Sequence, residues 1–274
     1  MSQAADTVPA IDAVLTYAIN TGEKHVNETM GPGNMNRKRQ GPVEEKSMRI
    51  LDGRPLRGTF DIETHGFTFV DHPTAMKDFF DADELKSVYY REVEALVKRE
   101  TGASRVVVFD HTLRSGDEDT RNAHLLREPV TRVHNDYTDW SGPQRVRDVL
   151  PDEADELLER RFAVVQVWRA IRNPIESHPL GICDARTLAD EDLVISERRY
   201  PDRIGQTYQI SYNPAHEWYY FPRMARDEAL VFKVYDSATD GRARFTAHSA
   251  FVDPTSPPDA APRESIEMRT FAFF

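Results

Sequence analysis

The chain has 274 residues, a formal net charge of −11 and scattered rather than clustered basic residues, which argues against binding to nucleic acid or to an anionic membrane surface. Its one cysteine, Cys183, excludes an intrachain disulfide and a cysteine-based zinc site. We expect Cys183 to be a buried strand residue. With no evident signal peptide and no apolar run long enough to cross a bilayer, we expect a cytoplasmic protein.

The first 100 residues give weaker signals than the rest of the chain. A short strand is predicted over 14–17, a loop rich in Gly, Pro and Asn over 30–39, a turn over 49–55, and a strand broken by a turn over 60–69. The clearest helix is predicted over 83–101, where apolar residues recur at helical spacing and Gly102 follows. This part is therefore only loosely assigned.

Beyond residue 100, strand signals dominate. The pattern predicts a buried strand over 105–110, an exposed loop over 114–128, and two amphipathic helical segments starting near 143 and 151. Further strands are predicted over 163–169, 180–184, 193–197, 207–212, 218–221, 229–236, 244–252 and 269–274. Short strands separated by Pro, Gly and Asp are typical of a jelly roll. We therefore predict a mainly β double-stranded β-helix with flanking helices, forming one domain over residues 1–274.

A His-x-Asp triplet, His134 and Asp136, lies in a further segment that we expect to be extended, Arg132 to Tyr137. Residues two apart in a strand point to the same side, so the imidazole and the carboxylate can converge. These are two ligands of the facial triad that holds Fe(II) and leaves other coordination positions open. The third candidate is His248, within a predicted strand. The triplet alone is a weak signal, because a strand-end histidine followed by a turn aspartate gives the same pattern.

A second signal follows near the end of the chain. Arg263 and Ser265 are two residues apart, so in an extended segment a guanidinium and a hydroxyl face one side. A guanidinium grips a carboxylate through two hydrogen bonds, which suits the distal carboxylate of 2-oxoglutarate. Arg269 lies six residues after Arg263, an even spacing that places it on the same side of an extended segment, and it is a second candidate cation for this carboxylate. A surface ion pair with Asp or Glu is the alternative for each arginine.

Four further segments follow one another along the chain: Val167-Trp168-Arg169, Pro179 to Asp184, Trp218-Tyr219-Tyr220, and Asp253-Pro254-Thr255 followed by Pro262 to Arg269. Through these segments in this order the sequence resembles the hydroxylase/desaturase family of fungal and bacterial secondary metabolism. The family includes a gibberellin desaturase, a component of cephamycin 7α-methoxylation and a fungal endoperoxide synthase, and it belongs to the Fe(II)/2-oxoglutarate-dependent dioxygenase superfamily. The resemblance covers residues from about 105 onwards.

The resemblance implies a double-stranded β-helix oxygenase that uses Fe(II), 2-oxoglutarate and O2. His134, Asp136 and His248 match the metal ligands of the family, and Arg263 matches the arginine of its Arg-x-Ser motif. The implied reaction is hydroxylation or desaturation of a small molecule through an Fe(IV)-oxo species. One departure is visible: Gln166 stands where family members often carry Asn, which puts any cosubstrate contact there in doubt.

The substrate pocket is less defined. Candidate lining residues are Tyr137, Trp140, Trp168, Arg169 and Tyr208. Arg169 is a cation on a buried-looking strand, which requires an anionic partner. The substrate, the choice among hydroxylation, desaturation and cyclisation, and the oligomeric state stay open. Two alternatives also stay open: a cupin-type metal enzyme without 2-oxoglutarate, and a non-catalytic β-barrel that binds a small molecule.

Overall fold

The structure is a computed structural model that describes residues 8–30, 36–39, 41–124, 128–172, 174–199, 201 and 204–274. The strands found there are β1 (Ala10–Ala18), β2 (His25–Met30), β3 (Asn36–Arg39), β4 (Val43–Asp52), β5 (Phe67–Asp71), β6 (Arg105–Ser115), β7 (His134–Asn135), β8 (Phe162–Ala170), β9 (Leu180–Cys183), β10 (Leu193–Arg199), β11 (Ile204–Ile210), β12 (Trp218–Tyr220), β13 (Glu228–Asp236), β14 (His248–Ala250) and β15 (Glu264–Phe273).

The helices within the same residues are short and lie mainly between β5 and β8. They are α1 (Ala82–Glu84), α2 (Tyr90–Thr101), α3 (Glu118–His124), α4 (Ser141–Val149) and α5 (Ala154–Leu158). A π-helical turn (Leu85–Tyr89) joins α1 to α2, so residues 82–101 form one helical segment. Short 3-10 turns span Arg54–Leu56, Ala185–Thr187 and Asp190–Asp192.

Two sheets form the body of the protein. The larger has the strand order β1-β4-β12-β9-β14-β7-β11-β10-β2-β3, and the smaller has the order β5-β13-β8-β15-β6. One apolar core contains side chains from both sheets, such as Ile182 of β9 and Phe232 of β13. Because the strand order crosses over repeatedly between sequence neighbours, the architecture is the predicted jelly roll.

The smaller sheet is covered on its other face by the helix that precedes it. Val93 and Leu96 of α2 pack in a second apolar core with Val165 and Val167 of β8. Alternate residues of β8, including Val164, belong instead to the first core. Every residue of β8 is therefore buried, and its near-continuous apolar run reflects a strand with both faces covered.

The predicted helix over 83–101 is confirmed, with its ends set by ordinary capping. The carboxylate of Asp81 accepts hydrogen bonds from the backbone amides of Asp83 and Glu84. Gly102 takes the left-handed conformation, with φ 72°, that ends many helices. None of the described helices is long and apolar enough to cross a bilayer.

Several local predictions were wrong. Residues 36–39 form β3 rather than a loop, while 31–35 lie outside the described residues. Strands β2 and β4 were missed because they are polar and lie near the margins of the larger sheet, where a one-sided apolar pattern is weak. Residues 62–65 form a turn, and the predicted loop over 114–128 contains α3, with 125–127 outside the described residues. The strand predicted over 244–252 is confined to β14.

Candidate metal centre and adjoining cavity

The pairing of three strands brings together the three side chains of the His-Asp-His prediction. β7 lies between β11 and β14, and His248, the first residue of β14, lies directly opposite His134. Asp136 follows β7 by one residue and shares the parity of His134. One ligand atom from each of the three residues lies within 4.8 Å of the others. His134 and His248 are only 6% and 2% exposed.

Backbone carbonyls fix the orientation of both imidazoles. Nδ1 of His134 lies 2.7 Å from the carbonyl oxygen of Arg132, and Nδ1 of His248 lies 3.0 Å from that of Thr246. A carbonyl oxygen only accepts, so in each ring Nδ1 carries the hydrogen and Nε2 keeps its lone pair. Burial, aided by the neighbouring His248, lowers the pKa of His134 to about 3, which keeps that ring neutral.

One of these lone pairs has no partner. Nε2 of His248 is buried and has no hydrogen-bond partner within the described part of the chain. Nε2 of His134 lies 3.5 Å from Oδ1 of Asp136, so two nitrogen lone pairs and a carboxylate oxygen surround one point. A buried acceptor without a donor is unfavourable, and a divalent metal is the partner that this donor set fits.

The other carboxylate oxygen of Asp136, Oδ2, is held by hydrogen bonds from two side chains. Oδ2 accepts a hydrogen bond of 2.7 Å from Nε2 of Gln166 and one of 3.3 Å from Nε of Arg269. Burial alone would raise the pKa of Asp136, but the Arg269 guanidinium and the two imidazoles hold it below its usual range. The carboxylate is therefore ionised, with Oδ1 left free to face the two histidines.

Arg269 is already engaged in ion pairs. Besides Asp136, its guanidinium contacts Glu267, Asp110 at 3.2 Å and the Thr112 hydroxyl at 2.8 Å. Arg269 was a candidate for the cosubstrate carboxylate, and that assignment stays untested. Its contacts point instead to orientation of Asp136.

Arg263 differs from Arg269, because its buried guanidinium has no carboxylate partner among the described residues. It is 3% exposed, donates to the Ser265 hydroxyl at 3.1 Å and to the carbonyl oxygen of His178 at 2.8 Å, and lies over the Trp168 ring. Among the described residues it forms no ion pair with Asp or Glu. Burial, with the nearby Arg114 charge, lowers its pKa to about 9. An anionic ligand would relieve this unfavourable burial.

Strand β8 connects the two sites. Gln166 contacts Asp136, and Trp168, two residues further on the same face, contacts Arg263. Two residues of a strand span about 6.6 Å. 2-Oxoglutarate has a similar reach, roughly 5 Å from its oxo carbon to an oxygen of its far carboxylate, given C–C bonds of about 1.5 Å. The spacing therefore suits a molecule with one end at the metal and the other at Arg263.

A cavity of about 870 Å³ opens beside the metal centre. Asp136 and Arg269 lie in its wall, together with two predicted pocket residues, Tyr137 and Trp140. Trp140 is 47% exposed, an unusual position for a large aromatic ring, and it lies where the cavity meets solvent. The cavity is large enough for a small organic molecule.

The remaining predicted pocket residues do not line this cavity. Trp168 supports Arg263, and Tyr208 packs edge-on against Phe245. Arg169 is fully buried on the opposite face of β8, where it donates to the carbonyl oxygen of His72 and lies over the Tyr89 ring. The anionic partner expected for Arg169 is absent among the described residues, and its Nε and Nη1 have no hydrogen-bond partner there.

Two residues at the site went unassigned in the sequence. Gln166 was noted only as a departure from a family pattern, and its hydrogen bond to Asp136 depends on a contact 30 positions away in the chain. Arg198 of β10 lines the cavity, but it lies just past the end of the predicted strand, where an arginine carries no local signal.

The jelly roll with two imidazoles and a carboxylate beside a cavity defines the class of mononuclear, facial-triad metal enzymes. Comparisons with known proteins narrow this class. A family model described as "Oxidoreductase/YMDC permease-like domain" matches residues 15–273. The chain is 36% identical over 233 residues to "Fe(II)/2-oxoglutarate-dependent dioxygenase nvfI" of Aspergillus novofumigatus, covering 82% of each chain. It is 34% identical over 253 residues to "Hydroxylase/desaturase CTB9" of Cercospora beticola, covering 84% of this chain and 77% of that one.

A solved structure agrees with these sequence comparisons. "Iron and alpha-ketoglutarate-dependent endoperoxidase NvfI" aligns with a TM-score of 0.84 and 31% identity, covering 96% of this chain and 98% of that chain. The chain therefore belongs to the hydroxylase/desaturase family of Fe(II)/2-oxoglutarate-dependent dioxygenases. It is an oxidoreductase that uses Fe(II), 2-oxoglutarate and O2 and acts on a small molecule. The cupin-type and non-catalytic alternatives find no support.

Proposed function

We propose that His134, Asp136 and His248 hold the Fe(II) of this dioxygenase, and that the substrate is hydroxylated or desaturated in the adjoining cavity. One observation carries the assignment: Nε2 of His248, which is buried and without a partner in the part of the chain that the structure describes, faces the same point as Nε2 of His134 and Oδ1 of Asp136. Asp136 also lies in the cavity wall, so a substrate in the cavity is next to the metal.

We further propose that Arg263 and Ser265 bind the far carboxylate of 2-oxoglutarate. The support is the buried guanidinium without a carboxylate partner in the described chain, and the β8 spacing that separates it from Asp136. A bidentate pair with a carboxylate would supply the missing counter-charge. Trp168 keeps the guanidinium in place by contact with its face.

Bound iron supplies the chemistry that activates O2 and allows cleavage of a substrate C–H bond. The protein orients the donors. Carbonyl oxygens set the tautomers of His134 and His248, and Gln166 and Arg269 turn Oδ1 of Asp136 towards the metal position. Such supporting hydrogen bonds commonly tune metal affinity 10- to 100-fold.

Cellular placement follows from the same chemistry. We propose a reducing compartment, the cytoplasm, because it would keep the iron ferrous. The buried thiol of Cys183 is compatible with such a compartment and needs no disulfide partner.

The proposal is tested by anaerobic Fe(II) titration of the wild type and of His248→Ala, followed by calorimetry. We expect one Fe(II) per wild-type chain and at least tenfold weaker binding in the variant, because two protein donors hold a metal far less well than three. Asp139→Asn is the control, since Asp139 is a largely exposed carboxylate three positions after Asp136 that pairs with Arg244.

Equal affinity for Fe(II) in the wild type and His248→Ala would contradict the assigned ligand set. An equal loss of Fe(II) affinity in Asp139→Asn would show that the effect comes from a general loss of acidic charge. Circular dichroism of each variant checks that the fold is kept.

A further inference from the structure

The charges that line the cavity are equal in number but are not paired one to one. Three carboxylates line it, and all are engaged: Asp136 at the metal centre, Asp110 with Arg269, and Asp148 with the Gln144 amide at 2.8 Å. Arg269 is likewise engaged. The remaining lining arginines are Arg145, which lies over the Phe109 ring, and Arg198, and the more informative of the two is Arg198.

Arg198 lies in β10 and lines the cavity without a carboxylate of its own. Within the described residues it forms no hydrogen bond or ion pair, whereas the next residue, Arg199, pairs with Glu197 at 3.0 Å. Its cross-strand neighbour in β11 is Gly205. A Cβ at Gly205 would meet no atom within 4 Å, so the space beside Arg198 is open.

A second, independent feature lies beside Arg198. The hydroxyl of Thr207 also lines the cavity, is buried with the residue 5% exposed, and has no hydrogen-bond partner in the described structure. Thr207 is two positions from Gly205, on the same face of β11, so its hydroxyl and the Arg198 guanidinium can reach one ligand. Two unpartnered donors on adjacent strands form an anion subsite.

We propose that Arg198 and Thr207 bind an anionic group, such as a carboxylate, on an otherwise apolar small-molecule substrate. Leu113, Tyr137 and Ile204 supply apolar and aromatic surface in the same cavity. The subsite lies on β10 and β11, on strands that do not carry Arg263, so it is distinct from the site proposed for the far carboxylate of 2-oxoglutarate. The inference rests on the proposed function only in treating this cavity as the substrate site.

The test uses two probes that differ in charge: 1-anilinonaphthalene-8-sulfonate, an apolar organic anion, and neutral N-phenyl-1-naphthylamine. Each is titrated by fluorescence into the protein loaded anaerobically with Fe(II) and 2-oxoglutarate, so that the cosubstrate site is filled and no turnover occurs. We expect the Kd of the sulfonate to rise about 10- to 100-fold in Arg198→Gln and by a smaller factor in Thr207→Val, since a hydrogen bond to a charged group is stronger than a neutral one. The Kd of the neutral probe should stay unchanged.

Arg199→Gln is the matched control, because it removes the same charge from the adjacent, exposed position. Arg198→Lys should retain part of the sulfonate affinity. Sulfonate binding that is absent, that is unchanged in Arg198→Gln, or that falls equally in Arg199→Gln overturns the proposal.

The test of the anion subsite can fail independently of the test of the Fe(II) ligands. In a His248→Ala background the sulfonate should still bind more weakly when Arg198 is replaced, whether or not Fe(II) is held. If the sulfonate binds equally well with and without Arg198 while Fe(II) binding is intact, the anion subsite alone is refuted. If Arg198→Gln still weakens sulfonate binding but His248→Ala leaves the Fe(II) affinity unchanged, the metal ligand set alone is refuted.

Discussion

At the residue scale, the site depends on which atoms are left without partners. Nε2 of His248 and the guanidinium of Arg263 are buried, and neither has the partner that its chemistry requires among the described residues. Ordinary core histidines and arginines satisfy these atoms within the protein. The pairing of a free lone pair with an uncompensated cation nearby distinguishes a ligand site from a structural polar cluster.

Gln166 provides the sharpest residue-scale prediction. Its amide holds Oδ2 of Asp136, so Gln166→Leu should leave the carboxylate free to rotate and weaken Fe(II) binding about tenfold. Gln166→Asn shortens the side chain by one methylene and should give an intermediate loss. Anaerobic calorimetry measures both. Unchanged affinity in Gln166→Leu would show that Arg269 alone orients Asp136.

Sequence reasoning grouped two pairs of residues at short spacing, and the structure brings each pair into contact, while their roles stay predictions. His134 with Asp136, and Arg263 with Ser265, are two apart in extended segments, so parity alone predicted shared faces. It failed for Arg169, because β8 is apolar on both faces and its pattern does not show which side meets the cavity. Contacts such as Gln166 with Asp136 join distant segments, and local periodicity carries no information about them.

At the scale of elements, the metal centre depends on how β7 and β14 are held against the smaller sheet. Gly66, just before β5, has φ 83° and lies close to Thr246, whose carbonyl oxygen orients His248. A Cβ on Gly66 would come within 2.3 Å of the Thr246 hydroxyl. The backbone of Gly66 also accepts from the Lys233 amide, so it cannot move away freely.

Gly66→Ala should therefore destabilise the protein by about 2–3 kcal/mol, combining about 1 kcal/mol for the left-handed backbone with the steric overlap. Fe(II) affinity should fall as well, because Thr246 must shift. Gly22→Ala is the control, since Gly22 has φ 79° but open space around its Cβ position, so only the backbone penalty applies. Equal losses in urea denaturation of the two variants would contradict the role given to Thr246.

The elements also show where sequence patterns stop being informative. The helix over 82–101 and the strands from β6 onwards were predicted because their apolar residues face a core on one or both sides. Strands β2 and β3 pair at the margin of the larger sheet, and their polar sequences are compatible with a loop. Whether such a segment forms a strand depends on its partner strands rather than on its local sequence.

At the scale of the whole molecule, burial of neutral histidines makes stability depend on pH. Burial lowers the pKa of His72 to about 4, with the nearby Arg169 adding to the effect, and lowers that of His134 to about 3. In the unfolded chain both titrate near 6.5. Below that pH the unfolded state binds protons that the folded state excludes, so folding weakens as pH falls.

We therefore expect the Tm of the metal-free protein to drop between pH 7.5 and pH 5, because each histidine lowers the free energy of unfolding by up to about 1.4 kcal/mol per pH unit below 6.5. Calorimetric scans at several pH values measure this drop. His72→Gln should make the dependence shallower by removing one of the histidines whose pKa is lowered by burial. A Tm that is constant from pH 7.5 to pH 5 would show that these rings do not titrate as their burial predicts.

The central claim is that one metal centre, flanked by a carboxylate-binding arginine, chelates 2-oxoglutarate. Its most direct test is anaerobic absorbance titration of the Fe(II)-loaded protein with 2-oxoglutarate. We predict a visible charge-transfer band that saturates near one equivalent, needs at least tenfold more 2-oxoglutarate in Arg263→Gln, and is absent in His248→Ala. Bound Fe(II) without any band in the wild type, or an unchanged titration in Arg263→Gln, would contradict the account.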